Sequence, residues 1–172
     1  MRQLGTAVVM LARSALGVAM AVILLTSTAL AFDPADLKKL KETNECVECD
    51  LTDADLADFV LVDANIRRSN LEGVNLQRAD LLRANLWGAN LKGGNLEDAN
   101  LSRVNLRGAN LINTNLKGAN LKRISLKGAN LAGSDLRAVT LENANLRYAN
   151  MERVNLEGAN LKGADLFQVN FK

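Results

Sequence analysis

The chain has 172 residues, of which 48% are hydrophobic and 3% aromatic, and its 21 Lys and Arg residues nearly balance its 19 Asp and Glu residues. This length suits one domain with an appendage, and the charge balance disfavours nucleic acid as a partner. The sequence contains no His, so the most versatile acid–base side chain and common metal ligand of proteins is missing.

Residues 1–31 have the pattern of a secretory signal peptide. Two arginines give a positive start, residues 14–25 form an apolar run, and residues 29–31 (Ala-Leu-Ala) form a small-x-small cleavage pattern. The alternative is an uncleaved membrane anchor, but polar residues at 26–28 interrupt the apolar run and leave it short for a span. The pattern therefore predicts export with cleavage after Ala31 and no membrane attachment afterwards.

Residues 32–48 are predicted to form a short helix and a linker. The helix covers residues 33–44, because Asp33 suits the N-cap and Pro34 suits the first helical position. An acidic residue near its start and three lysines in its second half match the helix dipole. Two leucines three residues apart give it a narrow apolar stripe.

Cys46 and Cys49 are the two cysteines of the chain. In an exported protein such a pair predicts a disulfide. One alternative is a redox-active pair, since the Cys-x-x-Cys spacing lowers thiol pKa in oxidoreductases, although those sites usually lie at the start of a helix rather than after one. A zinc site would need two further ligands in a chain that lacks His. No metal or other cofactor is expected.

The remaining residues, 49–172, form one unbroken repeat. Every fifth residue from Leu51 to Phe171 is large and apolar, which makes 25 positions, and in 22 of them the preceding residue is Asn or Asp. The residue two before each apolar position is small in nearly every case; Phe59 and Ile124 are the large exceptions and predict a local widening or an end effect.

A period of five fits neither the helical period of 3.6 nor the strand period of two. It fits a chain in which each unit makes one short extended side and one corner, so that four units close a square coil of about 20 residues and about six coils stack into a solenoid. The Asn and Asp residues, and nine glycines placed two after an apolar position, suit the corners. The first coil needs a cap, and the helix at residues 33–44 is placed to supply it.

Units such as Ala84-Asn85-Leu86-Trp87-Gly88 resemble those of the pentapeptide-repeat family, and the resemblance covers residues 49–172. It implies an all-β solenoid, a right-handed quadrilateral β-helix, without a defined biochemical activity. Exported members occur in the periplasm and in the thylakoid lumen, and either compartment fits this chain. One branch mimics DNA and binds type II topoisomerases; that role needs an acidic rod, which this composition does not provide.

Outward-facing apolar residues are the candidates for protein contacts. Leu82 and Trp87 lie on the sides of the predicted prism, and Trp87 shares a column with Arg67 and Arg107, which favours cation–π stacking. The repeat runs to the penultimate residue without a terminal helix, so the last coil is expected to be uncapped. Its apolar residues are Phe167, Val169 and Phe171. An open edge of this kind predicts end-to-end homodimerisation about a two-fold axis.

The sequence as a whole favours a non-enzymatic, exported scaffold or protein-interaction module with a protein partner that the sequence does not identify. No catalytic, cofactor-binding or metal-binding residue is predicted. A thiol–disulfide redox protein that uses Cys46 and Cys49 is the alternative, and a DNA mimic that binds topoisomerase is a further one.

Overall fold

A computed structural model describes residues 11–13, 19–21 and 31–172 of the chain. The predicted signal peptide therefore lies largely outside the described residues. The chain divides into two units, residues 1–30 and 31–172. In the first, strand β1 (Leu11–Arg13) pairs antiparallel with strand β2 (Ala19–Ala21). Within the described residues, no helix has both the length and the apolar character required to cross a membrane.

The second unit begins with helix α1 (Pro34–Thr43). The carboxylate of Asp33 caps it by accepting a hydrogen bond from the backbone N–H of Ala35 at 2.8 Å. The helix ends at Asn44, whose left-handed backbone (φ 60°) lets its N–H donate to the carbonyl of Leu40. Leu40 is fully buried and packs the helix against the core of the solenoid.

Residues 45–172 form a right-handed quadrilateral β-helix; the five-residue period predicts its four sides, and the resemblance to the pentapeptide-repeat family implies its hand. Parallel bridges join each ladder residue to the residue 20 positions later, from Glu45 with Asn65 to Asn150 with Asn170. Because each pentad contributes one bridge and one turn, four pentads make one coil. The chain completes about six coils, spaced about 4.8 Å apart as in any sheet.

Each pentad turns its corner through two residues. In the first full coil the N–H of Ala54 donates to the carbonyl of Leu51 at 3.1 Å, and Asp53 between them has φ 54°. This is the geometry of a type II turn, which requires a positive φ at its third residue. Nine pentads place Gly there, as predicted, and the other 16 place a residue with a side chain in the same strained region.

The interior is a continuous stack of the repeat's apolar residues. The central residues from Leu51 to Met151 are at most 1% exposed, and small residues fill the slots between them. At Ile124 the core is closed and its carbonyl accepts a ladder hydrogen bond of ordinary length, 2.9 Å. Phe59 is half-buried, with the ammonium of Lys41 over its ring at 4.9 Å. Phe59 therefore shows an end effect, because helix α1 rather than another coil lies beside it.

The Asn columns hold neighbouring coils together. The Nδ2 atom of Asn90 donates to Oδ1 of Asn70 at 2.9 Å, and Asn110 donates to Asn90 at 3.0 Å. The same Oδ1 of Asn90 also accepts the backbone N–H of Lys92, which closes the start of the turn. These contacts confirm the structural interpretation of the Asn columns, but the Asn residues lie in the ladder rather than at the corners where they were expected.

Candidate functional site

The two cysteines lie at the junction of helix α1 and the first coil. Their Sγ atoms form a disulfide, with 5.5 Å between the Cα atoms, and both residues are buried. The hydroxyl of Ser69, one coil further on, donates to the carbonyl of Cys46 at 2.6 Å and accepts the N–H of Cys49 at 3.0 Å. The disulfide loop is therefore bonded to the second coil through a buried hydroxyl.

A carboxylate of Asp36 lies near this disulfide. Its ligand atom and the two Sγ atoms lie within 4.8 Å of one another, the one such grouping among the described Cys, Asp and Glu side chains. One carboxylate oxygen of Asp36 already accepts the N–H of Asp50 at 2.8 Å, and the two sulfurs are bonded to each other. The arrangement serves the junction of cap and coil rather than providing a set of metal ligands.

Trp87 lies on the side of the prism with 44% of its surface exposed. A cation does stack on its ring, but it is Arg68, at 5.8 Å from the centroid, rather than Arg67 or Arg107 of its own column. Arg68 lies one coil before Gly88, the residue that follows Trp87, so its guanidinium is within reach of the tryptophan ring.

Leu82, the other candidate on the sides, lies one pentad before Trp87, on the adjacent corner. It is half-buried, and its carbonyl accepts the N–H of Asp63 in the regular ladder at 2.9 Å. The structure therefore separates Leu82 from Trp87 by a full side of the prism. The two residues do not form one hydrophobic patch.

The C-terminal coil gathers the remaining candidates. Phe167 and Phe171 are 48% and 51% exposed, while Val169 is half-buried against the core. Two neighbours of these residues were not predicted from the sequence: Leu166 is 40% exposed, and Tyr148 packs edge-to-face against Phe167 with 5.6 Å between ring centroids. Tyr148 is the neighbour of residue 147, which lies 20 residues, or one coil, before Phe167. This spacing could have predicted the contact.

The two ends of the solenoid differ in their backbone edges. At the N-terminal end, helix α1 covers the first coil; the N–H of Asp33 donates to the carbonyl of Asp50 at 3.0 Å, and Nδ2 of Asn44 donates to the carbonyl of Val62 at 2.9 Å. At the other end, a row of backbone groups finds no hydrogen-bond partner among the described residues. These groups include the N–H donors of Leu156, Leu161, Leu166 and Phe171 and the carbonyls of Val154, Ala159 and Ala164.

Ion pairs between adjacent coils lie on the sides of the solenoid. The guanidinium of Arg78 binds both carboxylate oxygens of Asp58 at 2.7 and 2.6 Å, and Arg83 binds Asp63 with the same distances. In both pairs the hydrogen bond from the arginine lowers the pKa of the aspartate below its usual value of 3.8. Partners are 20 residues apart, so the coil length determines these contacts.

The sequence signature of pentapeptide repeats matches this chain in eight copies, over residues 45–81, 79–118, 105–143 and 134–172. The matched segments extend over the whole solenoid. The chain therefore belongs to the pentapeptide repeat family.

Among solved structures, the chain is similar to a pentapeptide repeat protein from Nostoc PCC 7120, with 35% identity over 57% of this chain and 84% of that one and a TM-score of 0.49. It is also similar to HetL from Nostoc sp. strain PCC 7120, a protein involved in heterocyst differentiation regulation (23% identity, 71% and 86% covered, TM-score 0.37). A third is a protein of the Arabidopsis thaliana thylakoid lumen (25% identity, 75% and 70% covered, TM-score 0.38). No curated protein sequence matches the chain.

Proposed function

We propose that this protein is an exported, non-catalytic scaffold that binds other protein molecules through the open end of its solenoid. The single observation that carries the proposal is the C-terminal coil, where exposed aromatic residues adjoin unpaired backbone donors and acceptors. Unpaired strand edges pair readily with other chains, and buried aromatic residues supply much of the free energy of protein interfaces.

The occupant that this end fits best is a second copy of the chain. A two-fold interface requires one patch to complement itself. The C-terminal edge meets that requirement, because N–H donors such as Leu161 and carbonyl acceptors such as Ala159 lie on the same rim. Phe167 and Phe171 would be removed from water by the contact.

The test is the mass of the exported protein in solution, measured by sedimentation over a range of concentrations. We expect a dimer that dissociates on dilution, and we expect Phe167→Glu with Phe171→Glu to give a monomer. The matched control is Trp87→Glu, which adds a charge at a similarly exposed aromatic residue on the side and should leave the dimer intact. A wild-type protein that stays monomeric at high concentration would contradict the dimer.

Export is part of the proposal and rests on the pattern of residues 1–31. After secretion we expect the mature chain to begin at Phe32, which intact mass spectrometry of the protein from its native compartment measures. A chain that retains Met1 would contradict cleavage. Fractionation of the native cells would then distinguish the periplasm from the thylakoid lumen.

The two alternatives have weaker support. A thiol–disulfide exchange role needs a sulfur that a partner thiol can reach, and Cys46 is fully buried while Cys49 is 4% exposed. A DNA mimic needs a strongly negative surface, and the chain from Phe32 onward has 19 basic residues against 19 acidic ones, since the other two of the 21 basic residues are Arg2 and Arg13.

A further inference from the structure

One side of the solenoid carries cations in two rows. This side is centred on the ladder residues Asn85 and Asn105, and the turns at its two corners supply the rows. One row contains Arg103 and Arg123; the other contains Arg67, Arg107 and Lys127. Within a row, residues 20 apart lie one coil apart, about 4.8 Å. We call these five residues and the Asn ladder between them the basic side.

The basic side groups five cations that have no acidic partner. None of the five lies within 4.0 Å of a carboxylate of residues 31–172, whereas most cations elsewhere on the described surface are paired with acids; the exceptions are Lys39, Lys41, Lys162 and Lys172. These pairs include Arg78–Asp58, Lys92–Glu72, Lys117–Glu97, Lys122–Glu142 and Arg137–Asp135. Charge that is neutralised locally on the other sides is left available on this one.

Carboxylates bound the basic side at both ends. Towards the N-terminus Glu48 binds Arg68 at 2.5 Å, and towards the C-terminus Asp165 binds Arg147 at 3.1 Å. Between them, the five pentads that start at residues 65, 85, 105, 125 and 145, which carry the row of Arg67, Arg107 and Lys127, contain no Asp or Glu. At the corner of Arg103 and Arg123, the carboxylates of Asp63 and Glu142 are occupied by Arg83 and Lys122. The unpaired cations extend from Arg67 to Lys127, a strip of three coil spacings, about 14 Å.

The geometry points to an acidic polypeptide in extended conformation, bound along the Asn ladder between the two rows. Arg103 and Arg107 are four residues apart, so no more than about 14 Å of chain separates the rows at that coil. Successive side chains of an extended strand point to opposite sides. Consecutive carboxylates would therefore face alternate rows, where guanidinium groups bind carboxylates in a two-pronged geometry.

The aromatic rings near this strip favour a polypeptide over a nucleic acid. Single-stranded nucleic acids bind by stacking bases on exposed aromatic faces between cations. Here a cation of the chain already lies over each ring: Arg68 over Trp87 at 5.8 Å, and Lys127 and Arg147 over Tyr148 at 5.8 and 5.7 Å. Because a cation of the chain occupies a face of each ring, the cations of the strip rather than the rings are the main binding groups, and cations suit carboxylates.

Trp87 provides the measurement, because it is the single tryptophan of the chain and stacks on a residue beside the strip. The full-length protein would be titrated with a peptide of twelve glutamates at low salt while the fluorescence of Trp87 is followed, with calorimetry as a second readout. We expect saturable binding that weakens by about tenfold or more when salt is raised to a few tenths molar, since exposed charges are then screened.

The variant that tests the site replaces four exposed or half-exposed cations of the strip: Arg103→Gln, Arg107→Gln, Arg123→Gln and Lys127→Gln. The matched control removes the same charge from the paired sides: Arg78→Gln, Lys92→Gln, Lys117→Gln and Arg137→Gln. Circular dichroism would verify that both fold. We expect the first variant to lose affinity by about tenfold, roughly the effect of 1.4 kcal/mol, and the control to stay within about twofold of wild type.

Three outcomes would overturn the proposal: no binding of the peptide at low salt, equal loss of affinity in the two variants, or tighter binding of a twelve-nucleotide oligo-dT or of anionic phospholipid vesicles at this strip. The basic side is separate from the C-terminal coil. A monomeric protein that still binds the peptide would therefore contradict the proposed dimer and support this inference. A dimeric protein that does not bind the peptide would support the proposed dimer and contradict this inference.

Discussion

The hydroxyl of Ser69 accepts the backbone N–H of Cys49 at 3.0 Å from one coil away, and it donates in turn to the carbonyl of Cys46 at 2.6 Å. Ser69 is 1% exposed, so no water can replace either bond. Ala fills the equivalent slot in most pentads, for example Ala54 and Ala64. Ser69→Ala therefore fits sterically and removes only the two hydrogen bonds.

We expect Ser69→Ala to lower the free energy of unfolding by about 1–3 kcal/mol, because two buried backbone groups lose their partner. Denaturant unfolding followed by circular dichroism measures the change. The control is Ser102→Ala, at a half-buried turn position on the surface, which should change the stability by no more than about 0.5 kcal/mol. Equal effects of the two substitutions would show that the buried hydroxyl has no special role.

The disulfide is expected to stabilise the junction of cap and coil without supporting redox catalysis. Cys46→Ser with Cys49→Ser should lower the free energy of unfolding by roughly 2 kcal/mol, the value for a very short closed loop. A reducing agent should lower the melting temperature of the wild type and leave that of the double variant unchanged. Turnover in an insulin-reduction assay that the double variant lacks would instead support the redox alternative.

The five-residue period was sufficient to predict a four-sided coil of 20 residues with Leu51 and its equivalents inside, because both follow from backbone geometry that repeats without interruption. The right-handedness came from the resemblance to the pentapeptide-repeat family. The Asn residues were expected at the corners, but the structure places them in the ladder, where a side chain such as that of Asn90 accepts an N–H at the start of the turn.

The lateral contacts could not be predicted from columns alone. The cation on Trp87 comes from Arg68, a second turn residue with φ 56°, rather than from the column of Trp87 itself. The Ser69 hydrogen bonds, by contrast, follow the repeat: Thr114 and Ser134 occupy the same small slot and also donate to carbonyls 23 residues back, those of Leu91 and Leu111. The repeat therefore predicts the backbone register, but it does not predict the direction of the side chains at the corners.

Two alanines allow the backbone strain at the second turn position to be tested by substitution with Gly. Ala138 occupies the second turn position with φ 55° and is exposed, whereas Ala132 occupies the first turn position of its own pentad and has no positive φ. Ala138→Gly should stabilise the protein by about 0.5–1 kcal/mol, because Gly adopts a positive φ without the clash of a Cβ atom. Ala132→Gly should destabilise it by a similar amount, because it adds freedom only to the unfolded chain. Denaturant unfolding of both variants is the measurement, and changes of the same sign would contradict the assignment of strain to the second turn position.

The pairs Asp58–Arg78 and Asp63–Arg83 should make stability depend on pH in the acid range. Hydrogen bonds from the arginines lower the pKa of both aspartates in the folded protein below 3.8, the usual value. A carboxyl group with a depressed folded-state pKa stabilises the folded protein above the unfolded-state pKa, and that stability is lost as the pH falls through the folded-state pKa. The melting temperature of the wild type should therefore fall as the pH is lowered below about 4.

Asp58→Asn with Asp63→Asn should make this fall smaller, because neither side chain can then lose a charge. The effect should shrink in high salt, since both pairs are exposed and are screened. The control is Asp53→Asn, at the same second turn position but without an ion pair among the described residues; it should follow the wild-type curve. The measurement is the melting temperature of the wild type, the double variant and the control between about pH 2.5 and 6. Identical curves would mean that these surface pairs contribute nothing to acid stability.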